Sequence, residues 1–103
     1  PPEVLKKGDL TIDFSKISVA FKGKPIELTS KEFELLKTLI NAKGRVLSRD
    51  YLLDTIWGFD NAIEIQTRTV DVHIRTLRKK LKGESRRIIT VKNYGYRFEP
   101  DAD

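Results

Sequence analysis

The stretch from Ile65 to Leu81, "IQTRTVDVHIRTLRKKL", decides how the chain is read. Val70, Ile74, Leu77 and Leu81 recur at i, i+4, i+7 and i+11, so they share one face of an α-helix and point to a core. At about 100° per residue the opposite face collects Arg68, Val72, Arg75, Thr76 and Lys79. Thr69, His73 and Lys80 flank one side of it, and Asp71 and Arg78 flank the other. A merely solvated helix alternates Lys with Glu at i, i+4. Here the single acidic partner in reach is Asp71, four residues before Arg75. The outward face is therefore cationic, with one valine and one threonine set among arginines.

The charge of the whole chain repeats this asymmetry. Its 103 residues carry a net charge of +5. Gln66 to Arg97 holds ten bases and two acids, a net of +8, and the remainder stands at −3. A cationic third on a mildly acidic scaffold points to a polyanionic partner. The bland alternative is a solvated surface helix, with Arg78, Lys79 and Lys80 serving solubility or complementing the helix dipole.

Around this helix the chain alternates small elements. Residues 1–8 read as a linker remnant, with paired prolines and Gly8. "LTIDF" (Leu10 to Phe14) and "ISVAF" (Ile17 to Phe21) alternate with period two and read as antiparallel strands. "KGKP" turns into a third short strand, Ile26 to Leu28. "TSKEFELLKTLINAKG" is a helix, with Thr29 and Glu32 forming a capping box and Gly44 at the left-handed C′ position. Its stripe is Phe33, Leu36, Leu39 and Ile40. "RVL" is a brief extended piece, and Ser48 caps a second helix, "RDYLLDTIW". A loop follows, and either Asn61 or Thr67 starts the third helix. After it, "KGESRR" turns the chain into a β-hairpin, "IITV" and "YRF" joined by "NYG". Lys92 and Arg97 give that hairpin a cationic side, while Tyr96 and Phe98 face the core. The expected domain runs from 9 to 99, with 100–103 as a tail.

Several classes fall away. With no internal period, one domain is expected, and a chain of this length buries about 65% of its unfolded surface. The absence of cysteine removes disulfide and thiol chemistry. His73 is the only histidine, so neither a metal site nor a catalytic constellation has its partners. No catalytic residue, metal ligand or cofactor is expected. His73 either bonds a phosphate or simply packs, and Trp57 is expected to pack. No run of about 18 apolar residues is present to cross a membrane. "PPEVLKKGDL" lacks the apolar core of a secretory leader, so a cytoplasmic location is expected.

Three helices followed by a hairpin make a winged helix-turn-helix, an α+β fold. A helix with its side chains fits the major groove of duplex DNA, about 12 Å wide. Val72 can then touch a thymine methyl, Thr76 a base edge and Arg75 a guanine or a phosphate, while the hairpin reaches the neighbouring groove.

"LTSKEFELLKTLI", "GRVLSRDYLLDTIWG", "RTVDVHIRTLRKKL" and "ITVKNYGYRF" resemble the DNA-binding effector domain of OmpR/PhoB-type response regulators over about residues 8–99. The resemblance implies an N-terminal antiparallel sheet, a three-helix core and a C-terminal wing, in a transcription factor of a two-component system. It implies phosphate or groove-wall contacts for Arg68, Thr69, His73, Arg75 and Arg78, base proximity for Val72 and Thr76, and wing contacts for Thr90 and Lys92. Lys79 is added from its place on the outward face. In some members the segment between the second and third helices contacts RNA polymerase, which here maps to Trp57, Gly58, Phe59, Asp60 and Asn61. A receiver domain, a sensor kinase and paired direct-repeat half-sites are likewise implied. The wing tip departs from the family's usual Arg-Gly pair. It carries Lys92-Asn93, a point charge without the bidentate fork. The rival reading is a winged helix that docks an acidic protein.

Overall fold

In the computed structural model, which describes residues 3–58 and 66–100, four strands, three helices and a two-stranded hairpin follow one another. The sheet comprises β1 (Val4–Lys7), β2 (Leu10–Asp13), β3 (Ser18–Phe21) and β4 (Lys24–Ile26), antiparallel in the order β1-β2-β3-β4. The strand at Val4–Lys7 corrects the linker reading of residues 1–8. Leu5 pairs with Ile12 and Lys7 with Leu10. Leu5 is half-buried but Val4 is exposed, so this edge strand carries almost no apolar alternation to announce it. Gly8, at φ 58°, turns the chain into β2. The last strand of the sheet sits at Lys24–Ile26, earlier than the expected Ile26–Leu28.

Helix α1 (Ser30–Asn41) begins as its sequence specifies. The Thr29 hydroxyl accepts from the Glu32 amide at 3.2 Å, and the Glu32 carboxylate accepts from the Thr29 amide at 2.8 Å. At its C-terminus Lys43, not Gly44, is the first residue with positive φ, and Gly44 follows it in the same region. Helix α2 (Arg49–Trp57) is capped by Ser48, which accepts from the Tyr51 amide. Helix α3 (Thr67–Leu81) starts at Thr67, the second of the two starts the sequence left open. Its four stripe residues, Val70, Ile74, Leu77 and Leu81, are at most 1% exposed. Each such burial contributes about 1.5–3 kcal/mol.

Residues Lys82–Arg87 form a 3-10 helix where only a turn was expected. It brings Glu84 and Arg87 inside. The Glu84 carboxylate accepts from the Asp9 amide at 2.5 Å and from Arg87 Nε at 3.1 Å, while Arg87 Nη1 donates to the Glu99 and Pro100 carbonyls. The wing follows as β5 (Ile88–Val91) and β6 (Gly95–Phe98), in the register Ile88↔Phe98 and Thr90↔Tyr96. Leu47 adds one antiparallel bridge to Tyr96, so the extended piece before α2 seats the wing. That contact explains Gly95. A Cβ there would lie 2.0 Å from the Leu47 carbonyl oxygen.

Candidate nucleic-acid interface

Folding sorts the ten bases of the cationic third into two groups. Lys80 donates to Glu32 at 2.6 Å, Arg86 to Glu84 at 2.8 Å, and Arg97 to Glu99 at 2.8 Å. Arg87 is buried against Glu84. Arg78 is held by the wing. Arg68, Arg75, Lys79, Lys82 and Lys92 are exposed, with no hydrogen-bond or ion-pair partner among the described residues. Four of these five were singled out from the sequence, and three lie along the outward face of α3. Val72 sits among them, 45% exposed.

Asp71, the one acidic residue in reach of Arg75 along the helix, does not pair with it. Asp71 accepts instead from Arg49 Nε at 3.0 Å, with a second contact from Arg49 Nη2, and from the Tyr96 hydroxyl at 2.6 Å. Arg75 is thereby left unneutralised. Burial, then the Asp71 bond and charge, push the Tyr96 phenol up to about 12. This use of Asp71 was invisible in the sequence, because its partners lie 22 and 25 residues away.

Two predicted contacts turn toward the body of the protein. The Thr76 hydroxyl donates to the His73 carbonyl at 3.1 Å, so its one proton is spent on the helix itself. His73 Nδ1 donates to the Thr69 carbonyl at 2.8 Å, and its ring packs edge-on against Trp57 with centroids 4.9 Å apart. Both of these contacts are with the body of the protein, and both leave Nε2 uncommitted. Trp57 is itself buried, as expected, with Lys31 Nζ 5.7 Å above its ring. Gly58 is exposed, and Phe59, Asp60 and Asn61 lie outside the described residues.

Glu32 is the acidic hinge of this arrangement. Burial alone would raise its pKa, but Lys80, the Thr29 amide and Thr76 outweigh burial and lower it to about 2. A capping residue thus also ties α1 to α3. The sequence signalled the cap and not the tie.

Between the N-termini of α2 and α3 and the wing lies an open groove of about 510 Å³. Arg49, Thr67, Asp71, Thr90, Lys92 and Tyr94 line it. Tyr94 is 73% exposed and Lys92 stands beside it at the tip. Asn93 takes φ 70° to make that turn. Thr90 is exposed and accepts from Arg78. The described residues include no cluster of three metal-ligating side chains, and none of the described helices is long and apolar enough to cross a membrane.

Three helices, an N-terminal sheet and a wing beside an exposed cationic helix define a winged helix-turn-helix domain. A family described as "Transcriptional regulatory protein, C terminal" matches residues 23–98, and the chain belongs to that family, the OmpR/PhoB type of effector domain. It is 45% identical over 95 residues to the alkaline phosphatase synthesis transcriptional regulatory protein PhoP of Bacillus subtilis, covering 89% of this chain and 39% of that protein. It superposes with a TM-score of 0.83 on the response regulator DrrB of Thermotoga maritima, an OmpR/PhoB homologue, at 36% identity, covering 93% of this chain and 44% of that one. With the Klebsiella pneumoniae RstA DNA-binding domain, solved in complex with the RstA box, the TM-score is 0.80 at 35% identity, covering 95% and 98% of the two chains. The chain spans less than half the length of the curated relatives it matches.

Proposed function

We propose that this chain binds double-stranded DNA sequence-specifically, as the effector domain of a response regulator, with α3 in the major groove and the wing on the neighbouring groove. The observation that carries the reading is the unpaired cationic face of α3. Folding neutralises the bases that serve the body and leaves Arg68, Arg75 and Lys79 of α3, with Lys82 and Lys92, without hydrogen-bond or ion-pair partners among the described residues, and Val72 exposed on the same helix. A helix about 10–12 Å across fits a groove about 12 Å wide. The RstA complex supports the same use of the fold.

In this reading Arg68, Lys79 and Lys92 position the domain on phosphates, and Val72 and Arg75 read base edges. Val72 suits a thymine methyl and Arg75 a guanine, the latter worth about 1–3 kcal/mol of discrimination. Thr76 contributes beside them, as a hydrogen-bond acceptor at a base edge or by contact with the same thymine methyl. The greater length of the relatives supports a receiver domain joined to this one, controlled by a sensor kinase. Paired direct-repeat sites, RNA polymerase contact near Gly58 and a cytoplasmic location complete the proposal.

A salt titration separates this reading from docking of an acidic protein. With three phosphate contacts, log K for a selected duplex should fall against log salt with a slope of about −2.7. Lys79→Ala should reduce that slope by about 1, and Arg75→Ala should relax preference at one base pair. A slope near zero, or duplex that fails to compete with an acidic protein, would overturn it.

A further inference from the structure

Arg78 carries a charge on the flank of α3, yet its guanidinium does not stand free. Its Nη2 donates to the Ile88 carbonyl and to the Thr90 hydroxyl, both at 2.8 Å, and its Nε donates to the same carbonyl at 3.2 Å. Ile88 and Thr90 are alternate residues of β5, so the fork grips one edge of the strand in one register. The guanidinium also lies 5.8 Å from the centre of the Tyr96 ring on β6.

A second fastening lies further up the same helix. Asp71 is seven residues before Arg78, which places it about 10.5 Å along the axis on the same flank. It accepts from the Tyr96 hydroxyl of β6 and from Arg49 of α2. The helix is thus tied to one strand of the wing through Arg78 and to the other through Asp71. One tie would fix a distance; two also fix an angle.

We propose that Arg78 is a positioning residue, the clamp that sets the wing's register and distance to α3, and that with Asp71, Tyr96 and Arg49 it makes helix and wing engage DNA as one rigid unit. The proposal rests on the DNA-binding reading for its consequence, though not for its geometry. A flat guanidinium reaches a carbonyl and a hydroxyl together, which an ammonium at the same charge does not reproduce. Charge and clamp therefore separate in one substitution, Arg78→Lys.

The test is a double-mutant cycle of Arg78→Lys with Lys92→Ala on a selected duplex, beside amide hydrogen exchange of the free protein. If Arg78 acts by presenting the wing, Arg78→Lys weakens binding about tenfold when Lys92 is present and much less when it is not. In the free protein, the amides of β5 and β6 exchange several-fold faster in Arg78→Lys while those of α1 do not change. Equal losses in both backgrounds, unchanged affinity, or unchanged wing protection would overturn the clamp. If the unmodified chain shows no salt-steep duplex binding, the DNA reading fails, and hydrogen exchange alone decides for or against the clamp.

Discussion

Replacing Glu32 by glutamine keeps the shape of a buried side chain and removes its charge. In the folded protein that carboxylate holds Lys80 at 2.6 Å and the Thr29 amide at 2.8 Å. These partners overcome burial and take its pKa from 4.5 to about 2. A depression of that size corresponds to about 3 kcal/mol favouring the ionised form in the folded state, at about 1.36 kcal/mol per unit. Because the folded value lies below the unfolded one, the contribution is complete above about pH 4.5 and disappears as pH falls through about 2. Glutamine mimics the protonated form, so Glu32→Gln should lose about 2–3 kcal/mol at pH 7, a large fraction of a typical domain's 5–15 kcal/mol. Urea unfolding at a series of pH values measures it. The gap between the two proteins should be widest at pH 7 and close progressively below pH 4.5. Equal stabilities at pH 7, or a gap that persists undiminished near pH 2, would refute the assignment of Glu32 as the tie between α1 and α3.

Tyr96→Phe removes the hydroxyl that Asp71 accepts from and should cost about 1–2 kcal/mol in thermal or urea unfolding. In the unmodified protein the Tyr96 phenol is raised from 10.0 to about 12, so its contribution is intact below pH 10 and lost as pH rises through about 12. A spectrophotometric titration should find one tyrosine ionising late. Gly95→Ala sets a methyl against the Leu47 carbonyl at a φ of 145° and should destabilise by more than about 2 kcal/mol, with loss of the Leu47–Tyr96 bridge seen by amide exchange. Leu77→Ala, fully buried on α3, should lose about 2–5 kcal/mol in the same unfolding assay.

What the sequence makes legible here is what periodicity and local capping encode. The stripe Val70, Ile74, Leu77, Leu81 announced α3 and its buried side, and through them the exposed cationic face. Thr29 and Glu32, three residues apart, announced the start of α1. The hairpin was readable from its two apolar arms and its turn. Contacts between distant residues were not. Glu32 meets Lys80 across 48 positions, and the Asp9 amide meets Glu84 across 75. No local pattern records such pairings, so Arg87 and Glu84 read as turn charges although they are buried. For the same reason helical spacing offers only Arg75 as a neighbour for Asp71, while Arg49 and Tyr96 hold it from other elements. The strand Val4–Lys7 escaped because an edge strand is fixed by backbone pairing, and its side chains include two lysines. Helical angle alone put Thr76 on the outward face. Its hydroxyl finds an acceptor in the His73 carbonyl one turn back.

The central claim is that the free cationic face of α3 and the wing meet duplex DNA together. The most direct measurement is amide shift mapping of the isotope-labelled chain titrated with a selected duplex. The account predicts that the largest changes trace Arg68, Val72, Arg75 and Lys79 and continue onto Thr90 and Lys92, leaving the β1–β4 sheet quiet. Changes concentrated on the sheet, with that face of α3 unmoved, would contradict it.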